Sequence, residues 1–105
     1  MKESQVTEFK SSWRDEYLKW ICAFANTDGG KLIIGVDDTG KPVGVTDSKK
    51  LLEDLPNRFR DILGIIPSIR LKKQKMKDIL EIEVEPSYAP ISYHGRFYVR
   101  SGSTI

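Results

Sequence analysis

The run Ala23-Phe24-Ala25-Asn26-Thr27-Asp28-Gly29-Gly30-Lys31-Leu32-Ile33-Ile34-Gly35-Val36-Asp37-Asp38 decides the fold. It reads as the end of a helix, a small-residue stop and a buried strand, with no linker between them. Upstream, Tyr17, Trp20, Ile21, Phe24 and Ala25 recur at steps of three and four, which gives a helix over about Trp13 to Asn26 one apolar face. The paired glycines end it, because they tolerate the positive φ required by a helix C-terminus and the turn beyond. Lys31 to Val36 is then a continuous apolar run, the pattern of a central strand.

Working outward, Gln5 to Lys10 forms a short first strand, and Asp37 to Lys41 turns the chain so that Pro42 to Val45 returns as another. Asp47 and Ser48 cap a second helix through Leu51, Leu52 and Leu55, which Pro56 must kink or restart. From Ser68 the period becomes two: Ile69 and Leu71 lie on one strand, Lys77-Asp78 turns, and Leu80, Ile82 and Val84 alternate with Glu81, Glu83 and Glu85. A last hairpin is expected about His94-Gly95. The fold class is α+β, a mixed and mostly antiparallel sheet with two main helices packed on it.

The 105 residues suit one domain, and 39% hydrophobic with 30% charged residues argues against disorder. A net charge of +2 does not by itself point to a polyanion, so any basic face must come from clustering. Cys22 is the single cysteine, set in an apolar string, and is read as a buried inert thiol. With no apolar stretch near the roughly 20 residues of a membrane span and no apolar leader, the domain is expected in the cytoplasm.

Four groups of residues could do chemistry. The first is the turn Asn26, Thr27, Gly29 and Gly30, whose backbone amides could cradle a phosphate or whose glycines could serve helix–strand packing. It is not a nucleotide P-loop, since Leu32 follows Gly30-Lys31 where Ser or Thr is required. The second is acidic: Glu8 and Lys10 share one strand face, a pairing suited to a divalent cation and a phosphate, and Asp38 could join as a second ligand. Glu3 needs a bend near Ser4 to reach them. The third is the basic run Arg70 to Lys77, with Lys72, Lys73 and Lys75, which suits phosphate contact or protects a sheet edge. The fourth is the C-terminal alternation Arg96, Tyr98, Arg100, one face of which could stack a base on Tyr98 while the arginines meet phosphates.

Taken together, Glu3 to Lys10, Ala23 to Asp38, the Gly40-x-x-x-Gly44 return and Tyr98 to Ser103 resemble the Schlafen AlbA_2 family, a DNA-binding domain formerly called divergent AAA. The resemblance implies the N-terminal domain of a longer protein, a transcriptional regulator or an ATP-dependent DNA helicase-related protein, with DNA or RNA as partner. In Schlafen proteins two copies form a clamp, so a partner copy would complete the groove here. Some of those proteins cut RNA with a metal held by three acidic residues, matched here by Glu3, Glu8 and Asp38, with Lys10 assisting. Three functions therefore compete: a non-catalytic nucleic-acid-binding module, a nuclease using magnesium or manganese, and a nucleotide-sensing or protein-interaction domain.

Overall fold

A computed structural model describes the chain at Ser4, at residues 6–101 and at Ile105. Glu3 and residues 102–104 lie outside the described residues. Four strands, β1 (Thr7–Lys10), β2 (Gly30–Ile34), β3 (Ser68–Gln74) and β4 (Lys77–Val84), make one sheet in the order β1-β2-β4-β3. β1 runs parallel to β2, and the other two pairs are antiparallel. Two helices, α1 (Leu18–Ala25) and α2 (Ser48–Arg58), pack on one face. The expected α+β class and mixed sheet are thus observed.

The helix-covered face takes alternate residues from each strand. Leu32, Ile34, Leu80, Ile82 and Val84 meet Leu18, Ile21, Phe24, Leu55, Phe59 and Leu63 in a closed core. Each such side chain contributes roughly 1.5–3 kcal/mol of burial. Among the described residues, the opposite face holds a small buried cluster of Phe9, Ile33, Val36 and Ile79. By the same parity, Glu8 and Lys10 on β1 face the helices, whereas Lys31, Arg70, Lys72 and Glu81 face away.

The helix–strand junction is tight. The Gly29 N–H donates to the Phe24 carbonyl at 2.8 Å with φ 77°, which closes the end of α1. A Cβ on Gly30 would lie 2.5 Å from the Phe24 ring and 2.8 Å from the Val6 carbonyl oxygen. No side chain fits there.

Several expected elements are shorter than the sequence suggests. The first helix opens with a 3-10 turn at Asp15–Tyr17, and the return strand is a single bridge between Val36 and Pro42. Pro56 is tolerated inside α2, which then widens into a π-helical turn over Phe59–Leu63, closed by Gly64 at φ 74°. The β3–β4 turn lies at Lys75 and Met76, with φ of 50° and 65°, instead of at Lys77-Asp78. Two central residues at positive φ match the twist of a two-residue hairpin. The final hairpin reduces to a turn at His94-Gly95 with one Tyr93–Arg96 bridge.

Candidate functional site

Two charged regions occupy opposite edges of the sheet. At the β1 edge, Lys10 Nζ lies 3.5 Å from Glu8 Oε2, and Arg100 Nη2 lies 3.0 Å from Glu8 Oε1. Arg100 also donates to the Ser4 carbonyl at 2.7 Å, and its guanidinium sits 4.5 Å from the Trp20 ring centroid. Lys10 Nζ stands about equally close to two rings, 4.9 Å from Tyr17 and 5.0 Å from Trp20. The Arg100 side chain is fully buried, and that of Glu8 is 9% exposed. A charge buried this deeply is held by its partner and its aromatic cover.

An open cleft of about 510 Å³ lies beside this cluster, lined by Glu8, Lys10, Glu16, Tyr17, Lys19, Trp20 and Ile105. Asp38 is in an exposed turn, four residues beyond Ile34, the register partner of Lys10. Its neighbour Asp37 organises that turn: the Thr39 hydroxyl and amide and the Lys41 amide donate to one carboxylate oxygen, and these bonds lower its pKa. Among the described residues, no group of three His, Cys, Asp or Glu side chains is placed to hold a metal ion. Of the acidic set, then, the structure brings Glu8 to Lys10; Glu3 lies outside the described residues.

At the β3 edge the cations are exposed while their carboxylate partners are partly covered. Lys72 Nζ lies 3.1 Å and Lys31 Nζ 3.5 Å from the two oxygens of Glu81, and Arg70 is its register partner on β3. Two cations therefore meet one carboxylate on the uncovered face, with Arg70 opposite it on β3. Burial alone would raise the Glu81 pKa, but Lys72 and Lys31 together bring it below its ordinary value. Lys73 points to the other face and meets Asp78 at 3.0 Å. Asp78 also accepts a 2.6 Å hydrogen bond from the Ser48 hydroxyl, the largest cause of its lowered pKa, with Lys73 second. Lys75, expected on the strand, occupies the exposed turn instead. Lys31 escaped the sequence reading because only the β2–β4 register brings it across the sheet to Glu81.

The Asn26–Gly30 turn is occupied by its own packing. The Asn26 amide donates to the Ile91 and Tyr98 carbonyls at 2.8 and 2.9 Å, while its Oδ1 accepts from the Ile91 N–H at 2.7 Å. The Thr27 hydroxyl donates to the Ala23 carbonyl at 2.8 Å. The backbone N–H groups of Asn26, Thr27 and Gly29 all bond carbonyls of α1. Cys22 is buried beneath this knot; burial raises its pKa, against opposing hydrogen bonds from Tyr98 and Asn26.

The C-terminal alternation turns the opposite way to the expectation. Tyr98 packs against the core and Arg100 is buried, so their shared face points inward. Arg96 stays exposed. Arg100, expected on a phosphate, instead has its guanidinium enclosed by Glu8, Ser4 and Trp20. The exposed side chains are Phe97 and Val99, at 64% and 53%.

A family model described as Schlafen, AlbA_2 matches residues 3–105. Among solved structures, the chain is similar to the N-terminal domain of an ATP-dependent DNA helicase RecG-related protein from Nitrosomonas europaea. That match has 29% identity and a TM-score of 0.75, covering 100% of this chain and 84% of that one. The DIP2311 protein from Corynebacterium diphtheriae shares the fold at 22% identity and a TM-score of 0.78, over 96% of this chain and 22% of its own length. No curated protein matches the sequence. Among the described residues, no helix is long and apolar enough to cross a membrane.

Proposed function

The chain belongs to the Schlafen AlbA_2 family, and from that premise we propose that it is a nucleic-acid-binding module, contacting phosphates through the β3 edge. The observation that carries this reading is the exposed cation set of Arg70, Lys72, Lys73 and Lys75, gathered on the β3 edge of a domain whose net charge is only +2. Release of counterions from DNA or RNA would drive association there, making it salt-dependent and largely indifferent to sequence. Arg96 is a further exposed cation at the C-terminal turn. In the longer protein the module would precede the regulatory or helicase-related regions and hold them on nucleic acid. The test is equilibrium binding of DNA and RNA by wild type and by Lys73→Glu/Lys75→Glu. The double variant is expected to bind at least tenfold more weakly at low salt; equal affinity would remove this surface from the reading.

A second reading is metal-dependent cleavage, favoured by Glu8 and Lys10 meeting at 3.5 Å beside an open cleft. Magnesium or manganese would be held by Glu8 and Asp38 together with Glu3. Cutting of RNA or DNA that needs the metal and disappears in Glu8→Gln would establish it, and no cutting by wild type would exclude it.

A further inference from the structure

Tyr88 is fully exposed, and Phe97 is 64% exposed. With Val99, Pro90 and Ser87 they line an open cleft of about 470 Å³ against Asn26. Its size falls within the range of small-molecule pockets. Large aromatic rings left in water are costly unless a ligand covers them, and a cluster of them marks a binding surface.

The cleft is held in shape from beneath. Asn26 bonds the Ile91 and Tyr98 backbones on either side, and the Tyr98 ring is anchored beside Tyr93, with centroids 6.3 Å apart. With Tyr98 turned inward, the alternation forces its neighbours Phe97 and Val99 outward. Phe97 therefore rises from a fixed base, which lowers the ordering cost of a ligand. No lining residue carries a carboxylate, and Arg96, which precedes Phe97, is exposed.

Resting on the nucleic-acid reading above, we propose that this cleft is a stacking site for unpaired nucleobases, with Tyr88 and Phe97 as the platforms and Arg96 on the adjacent phosphate. It adds a preference for single strands to the sequence-indifferent contacts of the β3 edge. Base-on-ring stacking requires a base that is not already stacked and paired, so a duplex cannot use the cleft.

The experiment measures fluorescence anisotropy of the 105-residue chain with labelled oligothymidylate, a duplex of equal length and an abasic strand. Tyr88→Ala/Phe97→Ala is expected to weaken oligothymidylate binding by about tenfold, leaving duplex and abasic binding unchanged. Tyr88→Trp, with Phe97 intact, should keep oligothymidylate affinity near that of wild type. Both rings are exposed, so an unchanged melting temperature accompanies the expected result. Unchanged oligothymidylate affinity would overturn the proposal, as would an equal loss on the abasic strand. Sedimentation showing a dimer that the double variant dissolves would assign the patch to a second copy of the chain instead. If the lysine variants lose binding and the aromatic variants do not, the stacking site alone fails. If wild type binds none of the three ligands, both readings fail.

Discussion

The two edges of the sheet use the same chemistry, a basic side chain against a covered glutamate, but bury the cation to opposite degrees. Glu8 and Glu81 are alike at 9% and 13% exposure, whereas Arg100 is fully hidden and Lys72 is half exposed. The same charge therefore does different work. At β1 it fastens the C-terminal segment to the first strand, and its removal strands a carboxylate in a place that water reaches poorly. At β3 water and salt screen the pair, so its net stabilisation is small and its cations remain available to another anion.

This contrast is broken or sharpened by substitution at each edge. The largest effect is expected for Arg100→Ala, which should cost about 3–5 kcal/mol in urea denaturation, with Arg100→Lys recovering only part. Next is Gly30→Ala, where the added methyl meets the Phe24 ring and the Val6 carbonyl; about 1–3 kcal/mol should be lost on the same measurement. Lys73→Gln should change stability by no more than about 0.5 kcal/mol while weakening nucleic-acid binding. A large loss of stability there would mean that the two edges do not differ as described.

The smallest expected effect is on pH dependence. The Glu81 pKa lies below its unfolded value because Lys72 and Lys31 outweigh burial. Its stabilisation is therefore present above the unfolded pKa and is lost as pH falls through the folded one. Glu81→Gln should flatten the melting-temperature profile below about pH 4. A profile parallel to wild type would show that this carboxylate contributes nothing.

The fold was legible wherever a local signal agreed with the tertiary one. The α1 apolar face, the Gly29-Gly30 stop and the alternation of Leu80, Ile82 and Val84 all lie where the periodicity put them. The β3–β4 turn was not, because Lys75 and Met76 carry no turn chemistry, whereas Asp78 does. Sheet register prevailed: two residues between the strands place Leu71 beside Leu80 on the core face. The site was legible in composition but less so in direction. Glu8 beside Lys10 followed from parity, and the basic run was visible as a run. Which face of Arg96–Arg100 turns inward depends on the Asn26 bonds to Ile91 and Tyr98, and no local pattern encodes them. Lys31 reaches Glu81 through a strand pairing 50 residues apart in sequence, equally invisible to a window.

The most direct test of the central claim is the salt dependence of nucleic-acid affinity, measured side by side for wild type and for Lys72→Gln/Lys73→Gln/Lys75→Gln. Each lost phosphate contact should lower the log–log slope by about 0.7–0.9, so the triple variant should fall by roughly 2 or more if all three lysines engage. A slope identical to that of wild type would contradict the assignment of the β3 edge as the nucleic-acid surface.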